Sequence, residues 1–240
     1  MITVENHLIE SLPRAARIRL LKVCEPVQLV PAEVLCEPAT STTHVYFPTA
    51  GLVSLSRTVD GHRGMEVGMV GHEGMVGAHM ALGVSTSPLR ARVQGTGAAR
   101  RVSAKAFRAE LALSPALQRN LNRYLYVLME QLATSAACLR FHLIGPRLAR
   151  WLLMSQDRAQ ADTFHVTQEL LGHMLGVRRA GVTAAAGVLQ RGGLIQYRRG
   201  ELTVLDRGGL EGAACSCYRA DRQSYAGVLH APATWCRPRP

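Results

Sequence analysis

The apolar positions change period several times along the chain, and the changes divide it. Over residues 2–25, Leu8, Ile9, Leu12, Ala16, Leu20 and Leu21 recur at helical spacing. Pro13 falls inside that run and predicts two short helices rather than one. From Val27 to about Ser103 the pattern becomes short apolar runs punctuated by glycine: HVYFP, LVSLSRTV, MEVGMV, GMVGAHMAL, ARVQG and GAARRVS. Leu52 to Ser56 partly alternates, and DGHRG at Asp60–Gly64 predicts a hairpin loop. Short strands at this spacing predict a sandwich or barrel-like roll.

The helical period returns at Ala104. A short helix is expected over 104–112, then a long one capped by Ser114 with Pro115 at its first position. Leu121, Leu125, Leu128, Leu132, Ser135 and Leu139 follow at alternating spacings of four and three, an a/d seam. Tyr124, Tyr126, Val127 and Met129 widen the apolar girth beyond one seam. A helix that packs on its own sheet and on a twin satisfies both faces, so a homodimer through the seam is expected; a single amphipathic helix on its own domain is the alternative. Gly145-Pro146 marks a hinge. A helix over Leu148–Met154 and a polar loop, SQDRAQADT, follow.

The stretch LGVRRAGVTAAAGVLQ, from Leu175 to Gln190, is periodic and alanine-rich, yet Arg178 and Arg179 stand where its helix starts. A helix N-terminus carries the positive end of the dipole, so cations there cost a few tenths to about 1 kcal/mol each. Their placement makes sense if an anion meets them. Upstream, Thr167 can cap a helix with Gln168-Glu169 in its first turn, and Gly176 can end it at about Leu175. Two helices joined by a glycine turn make a helix-turn-helix, with Gly172 allowing close approach and Leu171, Leu175, Val177 and Val182 filling the contact. GGLIQYRRGELTVLD then predicts a β-hairpin around Arg199-Gly200 with arginines at its tip.

Composition sharpens this picture. The 240 residues carry 28 Lys/Arg against 17 Asp/Glu, a net charge of +11, and 48% are hydrophobic. That excludes wholesale disorder and favours an anionic partner. From 141 onward every cation is Arg, the residue suited to phosphate and guanine. The N-terminal MITVENHLIESLPRAARIRL lacks the apolar run of a signal peptide, and no uncharged apolar run is long enough to span a bilayer, so a cytoplasmic protein away from membranes is expected. The six cysteines are scattered with no C-x-x-C, which argues against a disulfide framework. Cys215-Ser216-Cys217 has the chemistry to ligate a metal or sense oxidants, but small core residues are the simpler reading. His44, His62, His72 and His79 fall in the β-rich part without the His-x-His and following Glu of a cupin metal site. No P-loop, G-x-S-x-G or paired catalytic carboxylates occur. No metal, cofactor or enzymatic activity is therefore expected.

A glycine-rich roll, a long helix and a winged helix-turn-helix in this order resemble the Crp/Fnr family of bacterial transcription regulators, over nearly the whole chain. The most specific portion is VTQELLGHMLGVRRAGVTAAAGVLQRGGLI, Val166–Ile195. The resemblance implies an α+β fold: a β-roll sensor (a double-stranded jelly roll) over 1–112, a dimerisation helix over 113–141, and a winged helix-turn-helix with a C-terminal extension over 142–240. It implies double-stranded DNA, a second copy of the chain and RNA polymerase as partners, and either a small-molecule effector of unknown identity or none. Arg179 sits where the family places an operator-contacting arginine, and Ala180 where many members carry a glutamate that accepts from cytosine. Thr167, Gln168, Arg178, Thr183, Ala184, Arg198 and Arg199 complete the expected DNA-facing set. Gly77, Ala78 and His79, with Arg90 and Arg92 opposite, match the family's nucleotide pocket, but the ribose-binding carboxylate is missing and the arginine is displaced by one residue. Cyclic AMP is therefore not the expected ligand. Cys24 and Cys36 do not make the cysteine pattern of the iron–sulfur members. The rival reading is a ligand- or metal-binding jelly roll whose basic C-terminal domain is an interaction module.

Overall fold

The computed structural model describes residues 6–60 and 64–229. Two short helices open it, α1 (His7–Glu10) and α2 (Arg14–Lys22), with Pro13 in the N-cap position of the second. Seven strands follow: β1 (Glu25–Leu29), β2 (Val34–Cys36), β3 (His44–Ala50), β4 (Val53–Arg57), β5 (Met65–Val70), β6 (Arg90–Val93) and β7 (Gly97–Ser103). They form two antiparallel sheets, ordered β1-β7-β3 and β2-β6-β4-β5. Side chains alternate between the faces of a strand. Val53 and Leu55 of β4 and Ala91 and Val93 of β6 therefore enter the roll, where they pack with Leu29, Cys36, Tyr46, Val70, Val76 and Ala99. On β3, Tyr46 points into the roll while Val45 and Phe47 point out beneath the helices. The apolar run GMVGAHMAL is not a strand: Ala78–Leu82 forms a single 3-10 turn, entered and left through left-handed glycines. Most of the anticipated DGHRG loop, 61–63, lies outside the described residues.

The helices α3 (Ala104–Leu113) and α4 (Pro115–Phe141) match the sequence expectation, and the Ser114 hydroxyl caps α4 by accepting from the Leu117 N–H. The chain breaks at His142-Leu143, not at Gly145-Pro146. The proline sits in the first turn of α5 (Ile144–Ala159), where a backbone N–H would have no helical partner in any case. The α5 helix also runs through the SQDRA stretch expected as a loop. Its polar residues are held by distant partners: Arg158 pairs with Glu73 at 2.9 Å, and Arg207 with Asp157 at 2.7 Å. Tertiary ion pairs thus extend a helix that local propensity leaves undecided.

The remaining elements are β8 (Thr163–His165), α6 (Gln168–Leu175), α7 (Arg179–Arg191), β9 (Ile195–Arg198), β10 (Glu201–Val204), α8 (Arg207–Ala213) and α9 (Cys217–Leu229). The wing is three-stranded, ordered β8-β10-β9, one strand more than the sequence suggested. The core of this C-terminal head is continuous with the roll, since Leu52 and Met69 join Trp151, Leu152, Leu171, Val182 and Leu202 in one apolar cluster. The C-terminal extension does not hang from the head. It turns back so that α9 lies along α4. The proline- and arginine-rich tail falls outside the described residues.

Candidate nucleic-acid interface

The helix-turn-helix is built locally, as the sequence indicates. The Thr167 hydroxyl accepts from the Leu170 N–H at 3.1 Å and caps α6, with Glu169 in the favourable first turn. Gly176 ends α6 in the left-handed region at φ +63°. Gly172 is where the two helices meet: a Cβ there would stand 2.9 Å from the Val177 carbonyl oxygen, closer than real contacts allow. Leu171, Leu175 and Val182 are buried behind the turn. Arg147 of α5 donates to the Leu175 carbonyl, which ties the end of α6 to the rest of the head.

The start of α7 keeps the arginines that posed the question. Arg178 is the N-cap residue and its side chain caps nothing; Arg179 is the first helical residue. Both are exposed, as are Ala180, Thr183 and Ala184 on the same face. The Thr183 hydroxyl lies 2.7 Å from Gln168 Oε1 and 3.1 Å from the Arg179 carbonyl, linking the first turn of α6 to α7. Beside this face, Arg198 and Arg199 are exposed on the wing. Arg199 and Gly200 both have positive φ, +53° and +82°, between the paired residues Arg198 and Glu201. That is the conformation of a two-residue type I′ hairpin, which glycine adopts freely and arginine does not. The turn holds the Arg199 side chain out at the tip. The Tyr197 hydroxyl donates to the Val166 carbonyl at 2.6 Å and pins the wing to the segment before α6. Every residue expected to face DNA thus lies on α6, α7 or the wing of one head.

The expected ligand pocket does not assemble. Gly77, Ala78 and His79 belong to the 3-10 turn, and His79 Nε2 lies 2.9 Å from Thr42 Oγ1, with burial lowering the pKa of the ring. Arg90 and Arg92 lie on the outer face of β6, because Ala91 and Val93 take the inner one. The two arginines line a cleft of about 450 Å³ between the roll and α6, shared with Ser54, Ser56, Glu66, Gln94, Leu170 and His173. Arg90 is already paired with Glu37 at 2.7 Å. The inner face of the roll carries apolar side chains, Val53, Val70, Ala91 and Val93 among them, rather than these arginines.

The anticipated dimer seam also needs correction. Leu121 is fully buried in its own chain's core, Leu125 and Leu128 pack against the chain's own clusters, and Leu132 lies over Gly68. Ser135 accepts from Arg150 at 3.2 Å, and Leu139 lies beside Gly176. Leu121 is enclosed, and the other five are partly buried against their own chain. The other side of α4 takes α9, where Ser224 donates to Glu130. The stripe left exposed is Asn122, Tyr126, Met129, Ala133, Ala136 and Arg140, with Tyr126 52% and Met129 60% exposed. It keeps the three-and-four spacing, one position on from the seam read in the sequence.

A buried polar joint between roll and head is absent from the sequence reading. Trp151 Nε1 on α5 donates to Glu66 Oε1 on β5 at 2.7 Å, and Glu66 Oε2 is shut away from solvent. Burial raises this carboxyl to about 7, against the opposing effects of the Ser54 and Trp151 side chains. Arg150 pairs with Asp221 of α9 at 2.7 Å. Arg158 also lies over the Tyr225 ring at 5.5 Å. These partners are 67 to 85 residues apart in sequence, and no local pattern announces them.

Residues 146–213 match the model of the Crp-like helix-turn-helix domain. No curated protein matches the chain. Solved structures do. A Crp/Fnr-family putative transcriptional regulator from Eubacterium rectale superposes with a TM-score of 0.66 at 15% identity, covering 86% of this chain and 96% of its own. FixK2 of Bradyrhizobium japonicum gives 0.66 at 16% identity, over 80% and 98%. A CRP-family transcriptional regulator from Thermus thermophilus gives 0.65 at 18%, over 78% and 96%. Among the described residues no helix is long and apolar enough to cross a membrane. The roll, the long helix and the winged head have the fold of these Crp/Fnr-type structures, and residues 146–213 form a Crp-like helix-turn-helix domain.

Proposed function

We propose that this protein is a homodimeric, sequence-specific DNA-binding transcription regulator that acts on RNA polymerase at a near-palindromic operator. The observation that carries the reading is the exposed start of α7, where Arg178 and Arg179 sit at the disfavoured end of a helix without any capping role. Stability gains nothing from them there, whereas a phosphate or a guanine edge gains a charge-assisted, bidentate contact. In this reading Arg179, Thr183 and Ala184 face base edges in the major groove. Thr167, Gln168, Arg178 and the wing residues Arg198 and Arg199 hold the backbone.

The second copy packs on the exposed stripe of α4. Ala133 and Ala136 let two helices approach closely at one end, and Tyr126 and Met129 supply apolar area at the other. Two heads related by a dyad then meet half-sites about one helical turn apart. The effector is something other than cyclic AMP, or there is none; the outward placement of Arg90 and Arg92 on β6 supports this.

Selection from a random duplex library at moderate salt tests the reading, and an enriched palindrome is expected. Arg179→Ala should then lose discrimination between the selected site and random DNA by roughly 5- to 150-fold, the equivalent of about 1–3 kcal/mol for one bidentate contact. Equal discrimination in the variant would sink the assignment. A bound metal or ligand in the roll, together with no sequence preference, would favour the jelly-roll alternative.

A further inference from the structure

Four side chains far apart in sequence converge where α4 gives way to the head. Cys138 lies in the last turn of α4, and His142 is the residue that ends that helix. Cys215 and Cys217 stand at the link between α8 and α9, delivered there because α9 folds back along α4. Cys138 Sγ is 3.6 Å from Cys215 Sγ, and Cys217 Sγ is 3.5 Å from His142 Nδ1. All four donor atoms lie within 4.8 Å of one another.

These distances select a chemistry. A tetrahedral ion with bonds of about 2.3 Å to sulfur and 2.0–2.1 Å to nitrogen places its donors roughly 3.5–3.8 Å apart. Both close pairs fall in that range. A disulfide needs its sulfurs about 2.05 Å apart, so the Cys138 and Cys215 thiols are separated by more than a bond. A donor set this compact encloses one ion and leaves no room for a cluster of several irons. Three sulfurs and one imidazole suit a borderline-soft divalent cation, zinc above all. The three cysteines are shielded, at 2%, 7% and 9% exposure, as closed structural sites require. Three thiolates around a divalent ion leave one net negative charge. Arg147 and Arg150 line the same cavity as Cys138; Arg150 already meets Asp221, which leaves the Arg147 guanidinium to offset that charge.

We propose that Cys138, His142, Cys215 and Cys217 bind one zinc ion that fastens the α4–α5 turn to the C-terminal helices. That turn is where the backbone passes from the long helix to the head, so the ion would fix the angle at which the head is held. The proposal stands whether or not the head reads DNA.

The test uses the full chain, purified under reducing conditions and loaded with zinc. Elemental analysis after gel filtration should find one zinc per chain. Cobalt(II) titrated into the metal-free protein should develop, at one equivalent, the intense visible bands of a tetrahedral thiolate site, and zinc should bleach them. Cys215→Ser and His142→Ala should each weaken zinc retention against a chelator by more than about a hundredfold, beyond the effect of losing an outer-shell partner. His142 is half-buried in a turn, so its variant keeps the fold and circular dichroism can confirm that. Cys24→Ser and Cys236→Ser should leave the bands intact. Failure to retain zinc or to develop the bands would overturn the proposal, as would binding unchanged in His142→Ala and Cys215→Ser. So would isolation of a metal-free chain with Cys138 joined to Cys215.

Discussion

Glu66 turns the contact between roll and head into a quantity that pH can move. Its carboxyl is raised by burial from an ordinary 4.5 to about 7. Between those values the folded chain keeps a proton that the unfolded chain has released. Stability therefore falls as pH rises through this window and levels off above it. Each tenfold change in proton affinity corresponds to 1.36 kcal/mol, so the whole span amounts to about 3 kcal/mol. Arg150 and Arg158 of α5 favour the ionised form, and Arg90 and Arg92 of β6 and His173 of α6 line the same cleft. Glu66→Gln removes the titration while keeping an oxygen that can accept from Trp151 Nε1. The amide it introduces has its own cost in the enclosed site, but that cost is the same at every pH. Urea unfolding of both proteins at pH 5 and pH 8 isolates the carboxyl. The variant should gain on the wild type by about 2–3 kcal/mol between the two pH values. Parallel stability profiles for the two proteins would refute the argument, since they would mean that Glu66 is solvated in the folded chain.

Met129→Glu places a charge in the middle of the exposed α4 stripe and should give single chains by light scattering, with the thermal unfolding of each chain little changed; a persisting dimer would mean that another face pairs. Leu121→Glu, by contrast, should unfold the N-terminal core, because Leu121 is fully enclosed there. Cyclic AMP at millimolar concentration should leave the melting temperature unmoved. A rise of several degrees would show that the roll opens to admit it.

The parts of this protein that were legible in sequence are those whose causes are local. The Thr167 cap, the Gly176 stop and the Arg199-Gly200 hairpin each need only a few neighbouring residues, and each lies where it was read. The helix after Ser114-Pro115 is the same case. The seam on that helix shows the limit. Its period is plain, but a period fixes a face only relative to other faces, and α4 is apolar most of the way round. The leucines went to the chain's own roll, whose interior demands volume, and the smaller and aromatic residues were left outside. The arginines of β6 failed differently. Strand alternation sends Arg90 and Arg92 outward together, so shifting the assigned position by one residue exchanges pocket for surface. The thiol cluster showed only its Cys215-Ser216-Cys217 half in sequence, because 77 residues separate Cys138 from Cys215.

What holds the head in one place is therefore more polar than what builds it. A helix-turn-helix core of leucines, valines and alanines can pack in many orientations against a neighbouring apolar sheet at similar cost. The contacts across the joint are selective instead: Trp151 to Glu66, Arg150 to Asp221, Arg158 to Glu73, and the cysteines beside His142. Buried ion pairs add little net stability, because desolvation offsets most of their attraction, yet leaving one partner alone costs about 3–5 kcal/mol. An orientation of the head that breaks the Arg150–Asp221 pair strands a charge, whereas one that slides an apolar contact does not. Asp221 and Tyr225 both come from α9, and Cys217 begins it. The C-terminal extension thus contributes chiefly specificity: it limits the head to the arrangement in which every buried charge keeps its partner, and it does so at the turn where the long helix hands over to the head.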